Sequence, residues 1–286
     1  MASYRFVTVD VFTTQRFGGN PLAVFPDARG LSDGQMQALA AEFNLSETTF
    51  VLPPSDPANT ARVRIFCRTY EMPFAGHPNV GTGWVLAQAG RASGGKLRFE
   101  EIAGLVEIDV ADDIVTVAAP QPLSLGAEVP AETVACCAGI ATDQVILAAH
   151  RPMTASTGNP FVFAEVTPEA LTQATPDLAA FRTAAGTDGA RFALHLYARA
   201  GERIRARMFA PLSGTVEDPA TGSANVTLGA LLLSLSGGAQ DAFEIVQGVE
   251  MGRPSLLHVN ARRGTDGIRA TVGGTCVPVL RGEAEV

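Results

Sequence analysis

A chain of 286 residues fits one large domain or two of about 140. Hydrophobic residues make up 47% and charged residues 17%, which excludes a disordered chain and supplies two apolar cores. A net charge of −8 without any Lys/Arg block argues against nucleic acid as a partner.

The opening residues go straight into strand-like alternation, with no signal-peptide core, and no apolar run approaches a bilayer span. Cys67, Cys136, Cys137 and Cys276 lack metal-ligand spacing. The expectation is a cytoplasmic protein with reduced thiols, no membrane association, no metal and no cofactor.

In chain order, Tyr4 to Phe12 reads as a buried strand and Gly18 to Pro21 as a turn into a second strand, Leu22 to Phe25. Ser32-Asp33-Gly34-Gln35 is a capping-box start. Met36, Leu39, Ala40 and Phe43 follow at helical spacing, giving an outer helix that ends near Asn44. Glu47 stands where this helix gives way to a strand, Thr49 to Leu52. Its local sequence allows a solvated loop carboxylate or a partly buried general base. Arg62 to Phe66 is a strand leading to Ala75-Gly76-His77 and a helix over 79–88, whose small residues suggest enclosure; Trp84 reads as core. Alternating strands fill 96–118, and Pro120-Gln121-Pro122 marks a boundary.

The second half opens with a helix over 129–139. Gly158-Asn159-Pro160 leads into Phe161-Val162-Phe163, and Thr167-Pro168-Glu169 starts a helix. Strands over 192–197 and 204–209 deliver the chain to Asp218. Arg203, Arg205 and Arg207 alternate, as on one solvated or ion-paired strand face. Strands over 243–249 and 255–259 pair, and Gln247-Gly248 and Gly252-Arg253 read as turn residues. The last strand, over 275–281, returns to the first domain.

The two halves resemble each other. Gly19-Asn20-Pro21-Leu22 matches Gly158-Asn159-Pro160-Phe161; Arg64-Ile65-Phe66 matches Arg207-Met208-Phe209. Glu71, Pro73, Gly76 and Asn79-Val80 match Glu217, Pro219, Gly222 and Asn225-Val226. Three ordered matches at nearly constant offset indicate an internal duplication. The domains are then 1–120, with a returning strand in 275–286, and 121–275. Each Pro-and-Gly-rich turn opens a helix whose first N–H groups and dipole suit a carboxylate or phosphate. Duplication would place the two helix starts at one cleft, related by a pseudo-two-fold axis. His77 stands opposite Ser223 and Asp218 opposite Met72, an asymmetry suited to an unsymmetrical anion. His77 is either a structural residue of the helix start or a ligand contact.

The motifs Gly-Asn-Pro-Leu-Ala-Val-Phe (19–25), Asn-Leu-Ser-Glu-Thr-Thr-Phe (44–50), Pro-Phe-Ala-Gly-His-Pro (73–78), Glu-Asp-Pro-Ala-Thr-Gly-Ser-Ala (217–224) and Gln-Gly-Val-Glu-Met-Gly-Arg-Pro-Ser (247–255) resemble the PhzF, or phenazine-biosynthesis-like, family. The resemblance spans nearly the whole chain. It implies a diaminopimelate-epimerase-like α/β (α+β) fold: two pseudo-symmetric domains, each a curved, barrel-like sheet around a central helix. It also implies a homodimer. The family's proton-transfer glutamate falls on Glu47, with Asp218 and His77 beside it as catalytic groups. Ser46, Gly76, Gly222 and Ser223 fall in the substrate-binding positions.

Epimerases of this fold use two cysteines at the helix starts. Ala75 and Thr221 stand there in this chain, and neither forms a thiolate. A carboxylate shuttle remains, suited to an allylic isomerisation without cofactor. The resemblance implies a small, carboxylate-bearing, cyclic amino-acid-like substrate. The stretch Cys67-Arg68-Thr69-Tyr70 departs from the family pattern and leaves the substrate open. The alternative is a metabolite-binding or interaction protein that keeps the fold without turnover.

Overall fold

The computed structural model describes residues 2–186, 192–201 and 203–286. It contains two compact units, residues 1–120 with 272–286, and residues 121–271.

In unit 1 the chain runs β1 (Ser3–Val11), β2 (Asn20–Phe25), α1 (Asp33–Phe43), β3 (Thr48–Leu52), β4 (Ala61–Phe66), β5 (Glu71–Met72), α2 (Gly76–Gln88), β6 (Lys96–Glu101), β7 (Gly104–Ala111) and β8 (Ile114–Ala118). Unit 2 follows with β9 (Ser124–Glu128), α3 (Ala131–Ala138), β10 (Val145–Ile146), β11 (Met153–Ser156), β12 (Pro160–Val166), α4 (Pro168–Gln173), α5 (Leu178–Ala185), β13 (Leu194–Ala200) and β14 (Arg203–Ala210). It continues through β15 (Thr215–Asp218), α6 (Gly222–Ser236), β16 (Gln240–Gln247) and β17 (Ser255–Gly264). β18 (Gly267–Gly274) carries the chain out of unit 2, and β19 (Cys276–Glu285) pairs along β1 in unit 1.

Strand register makes the internal repeat concrete. β2 and β3 run parallel with Ala23 opposite Thr48, as β12 and β13 do with Val162 opposite Leu194. Thr48 then faces Phe66 on antiparallel β4, and Leu194 faces Phe209 on antiparallel β14. Phe66 pairs with Glu71 on β5, and Phe209 with Glu217 on β15. Parallel β6 sets Phe99 beside Ala61, and parallel β16 sets Ile245 beside Ile204. Five consecutive pairing strands thus share order, direction and register in both units. A one-residue slip anywhere would turn a buried face to water, so this agreement is strong evidence for one ancestral unit.

Each unit wraps its sheet around one helix. Every residue of α6 from Ala224 to Leu233 is buried, and α2 is buried from Gly76 to Gly83. Helices enclosed on all sides need small residues where strands come close. A Cβ at Gly83 would stand 2.9 Å from Ile108 Cγ2, and one at Gly229 2.4 Å from Val259 Cγ1. The remaining helices lie outside. α1 starts at the expected capping box of Ser32 and Gln35 and ends at Asn44 in the left-handed region. Beneath it Met36 and Ala40 pack with Phe25, Phe50 and Phe66. The matching layer of unit 2 sets α3, α4 and α5, the last through its buried Phe181, over Leu194, Leu196 and Phe209.

Three local expectations change. α2 begins at Gly76, three residues earlier than read, because Pro78 within its first turn forfeits no intrahelical N–H bond. Trp84 is half-buried rather than core. Gln247 is not a turn residue: it ends β16, fully buried.

Candidate active site

In unit 1 the expected residues gather at the start of α2. Gly76 and His77 are its first two residues, and their N–H groups have no carbonyl behind them in the helix. The N-cap, Ala75, offers no side-chain oxygen. Glu47 reaches this point from the residue before β3. Its Oε2 lies 3.4 Å from His77 Nε2, an approach just short of a closed hydrogen bond. Burial pushes the His77 imidazole down to about 3, so the ring is neutral at physiological pH.

The neutral ring's tautomer follows from its other side. Ser46 Oγ donates to Asn20 Oδ1 at 3.3 Å, which leaves Asn20 Nδ2 facing His77 Nδ1 at 3.4 Å. An amide NH₂ only donates, so Nδ1 accepts and Nε2 carries the proton that points at Glu47. Ser46 therefore acts through Asn20, a fully buried residue whose part the sequence reading missed. Its place in Gly-Asn-Pro, the motif common to both halves, was the available signal.

In unit 2 the corresponding turn is more tightly braced. Asp218 is buried at the end of β15, and Thr221 Oγ1 donates to its Oδ2 at 2.6 Å. The threonine is thus turned away from the capping role that its position at the start of α6 would otherwise give it. Gly222 and Ser223 occupy the first two helical positions, Gly222 buried and Ser223 half-buried. Gln247 holds the turn from behind. Its Oε1 accepts from Thr221 N–H at 3.1 Å and Asn225 Nδ2 at 2.6 Å, while its Nε2 donates to the Asp218 carbonyl at 2.7 Å. Gly248, with φ of +77°, lets the next backbone segment approach: a Cβ there would stand 2.6 Å from the Pro219 carbonyl oxygen.

The repeated Arg and Glu residues hold the strands that deliver these turns. Arg64 bonds both Glu71 oxygens, at 2.6 and 2.5 Å. Arg207 bonds both Glu217 oxygens, at 2.8 and 2.9 Å, and donates to the Leu171 and Ala174 carbonyls. Arg203 and Arg205 pair with Glu244 and Glu250, so the arginine row is an ion-paired strand face, as its spacing suggested. Among the described residues no group of His, Cys, Asp and Glu has the makings of a metal site, and no helix is long and apolar enough to cross a membrane. All four cysteines are free; burial raises Cys137 to about 11, so its thiol stays protonated.

Comparison with known proteins agrees with this architecture. The family model described as phenazine biosynthesis-like protein (PhzC-PhzF) matches residues 9–282. An uncharacterized isomerase of Mesorhizobium japonicum is 36% identical, with 99% of each chain covered. The trans-2,3-dihydro-3-hydroxyanthranilate isomerase of Pseudomonas chlororaphis is also 36% identical, with 98% of each covered. The crystal structure of the Bacillus anthracis phenazine biosynthesis protein of the PhzF family superposes with a TM-score of 0.90 over the whole of both chains, at 24% identity. With its duplicated sheet-around-helix architecture and nearly full-length match, this chain belongs to the phenazine-biosynthesis-like family of PhzF isomerases.

Proposed function

We propose that the protein is a cofactor-independent isomerase. It moves one proton between two carbons of a small, carboxylate-bearing, cyclic amino-acid-like metabolite. The observation that carries this reading is the pairing of Glu47 with a neutral, tautomer-fixed His77 at the start of α2. A carboxylate there accepts a proton from an acidic C–H; the electron pair shifts along the conjugated system, and the same proton returns to a distant carbon. No atom is gained or lost. His77 Nε2–H steadies the Glu47 carboxylate without adding a charge, so the acid form stays within reach.

Gly76, Gly222 and Ser223 are assigned to the substrate's carboxylate and other acceptors, because first-turn N–H groups favour anions. Asp218 is assigned to an amine or hydroxyl of the substrate, and Ser46 to the same pocket wall as Asn20. The relative from Pseudomonas chlororaphis is named for trans-2,3-dihydro-3-hydroxyanthranilate, a compound of this chemical class. It is the first substrate to try.

The test is turnover in D₂O, read by NMR and mass spectrometry. The wild-type product should carry deuterium at the reprotonated carbon to the extent that the Glu47 proton exchanges with solvent. Glu47→Gln keeps size and polarity and should lower kcat by about 10² to 10⁴ while the protein stays folded and binds ligand. Full activity in that variant refutes the mechanism. Binding without turnover of any conjugated carboxylate tried would instead favour a metabolite-binding protein.

A further inference from the structure

The repeat that relates the two units also relates Gln247 to Glu101. Each is the last residue of the strand that pairs parallel to the repeat's central strand, two residues beyond the matched pair Phe99 and Ile245. Gln247 is the brace of the Asp218 turn. Glu101 stands behind the equivalent turn of unit 1, where Ala103 N–H bonds the Pro73 carbonyl at 3.1 Å. Both Glu101 carboxyl oxygens are buried and neither closes a hydrogen bond, although the Asn79 amide lies near enough to act on them. A carboxylate in that position would be an uncompensated buried charge.

We propose that Glu101 is held as the neutral carboxylic acid, an analogue of Gln247, and latches the Pro73–Ala75 turn that sets the pose of Gly76 and His77. A protonated carboxyl has the same pair of functions as a primary amide: one oxygen accepts and one group donates. By the repeat, the acceptor belongs to Asn79 Nδ2 and Ala75 N–H, and the O–H to the Met72 carbonyl. Burial pushes the Glu101 carboxyl up to about 8, outweighing the Asn79 amide, which favours the ionised form. Charges on the neighbouring elements are engaged elsewhere. Glu71 on β5 is bound to Arg64, His77 on α2 faces Glu47, and Glu100 bonds the 55–59 loop. Glu107 and Asp109 on β7 pair with Arg98 and Lys96 at the surface. This assignment does not depend on the identity of the substrate.

This upward shift fixes the sign of the pH effect. The folded protein holds the Glu101 proton between about 4.5 and 8, whereas the unfolded chain releases it near 4.5. Stability is therefore full below the unfolded value and falls as pH rises toward the folded one. Glu101→Gln lacks this titration and keeps the brace.

The experiment compares wild type, Glu101→Gln and Glu101→Ala. Carbon-13 NMR of the glutamate carboxyls, with Glu101 assigned from the Gln variant, should show its ionisation near pH 8. The Gly76 and His77 amide resonances should move with it in wild type and stay at their low-pH positions in Glu101→Gln. The melting temperature of Glu101→Gln should exceed wild type by a gap that opens by about 5 °C or more between pH 5 and pH 9. Glu101→Ala should melt below both at pH 6. Three results would each overturn the proposal: a Glu101 carboxyl that titrates near 4.5, a Gln variant that melts below wild type at pH 6 or does not fold, and a gap that stays constant with pH.

Discussion

Replacing Gln247 by leucine puts a side chain of similar size in its place and breaks three of the hydrogen bonds that brace the turn, while Asn225 Nδ2 keeps its bond to the Thr221 carbonyl. Thr221 N–H and Asn225 Nδ2 lose their shared acceptor, and the Asp218 carbonyl loses its donor. Gln247 and Asn225 have no measurable exposure, so water does not replace those bonds. A buried group left without a partner costs about 1 to 3 kcal/mol. One stranded N–H and two weakened groups, with part of the turn relaxing toward solvent, amount to about 2 to 5 kcal/mol. That is a large share of the roughly 5 to 15 kcal/mol that holds a typical domain together. Urea unfolding followed by circular dichroism should show the midpoint of the affected transition falling by roughly 1 to 2 M. The Asp218, Thr221 and Gly222 amide resonances should broaden or shift in the folded variant. A loss under about 1 kcal/mol with those resonances unmoved would refute the view that Gln247 braces the turn.

Other consequences are as open to measurement. His77 and His195 are both pushed down to about 3 by burial, so each is neutral when folded and charges when unfolded. Their stabilising share is whole above about pH 6.5 and drains away as pH falls toward 3; nitrogen-15 spectra at pH 5 should show two neutral rings, and an imidazolium signal from either would contradict this. The same spectra should assign the His77 proton to Nε2, and Asn20→Ala should mix the two tautomers. If the tautomer stays unmixed in that variant, Asn20 does not set it. Gly229→Ala places a methyl 2.4 Å from Val259 Cγ1 in an enclosed helix and should cost about 1 to 3 kcal/mol, despite alanine's better helix propensity. A stabilised variant would mean that β17 yields more easily than the packing implies.

Much of the fold was legible because its signals are local or repeated. The capping box at Ser32, the enclosed composition of α2 and α6 and the matched Gly-Asn-Pro and Glu-x-Pro turns can all be read without knowing what packs on what. Glu47 and His77 were recognisable from motif resemblance, and the structure brings them within 3.4 Å. The braces were not legible. Gln247 and Glu101 meet their turns only because β16 and β6 end beside them, a long-range consequence of parallel pairing with β14 and β4. Their residue types look like ordinary strand-end polar groups. Asn20 was hidden differently: an Asn before Pro reads as a turn, and only tertiary packing turns its amide inward toward the His77 ring. α2 begins three residues before the helix read from the sequence, since Pro78 fits a first turn whose N–H groups need no carbonyl partner.

The pairing of β19 with β1, from Ser3 opposite Glu285 to Val11 opposite Cys276, has a consequence for biosynthesis. Unit 2 is one continuous stretch, whereas unit 1 is split across both ends of the described chain. On the ribosome the strands of unit 1 emerge first yet wait for β19, with one long edge of β1 unpaired throughout. Unit 2 has all of its own strands roughly fifteen residues sooner and is free to fold while unit 1 is still incomplete. The half that carries Asp218 should therefore acquire protease resistance on stalled nascent chains before the half that carries Glu47.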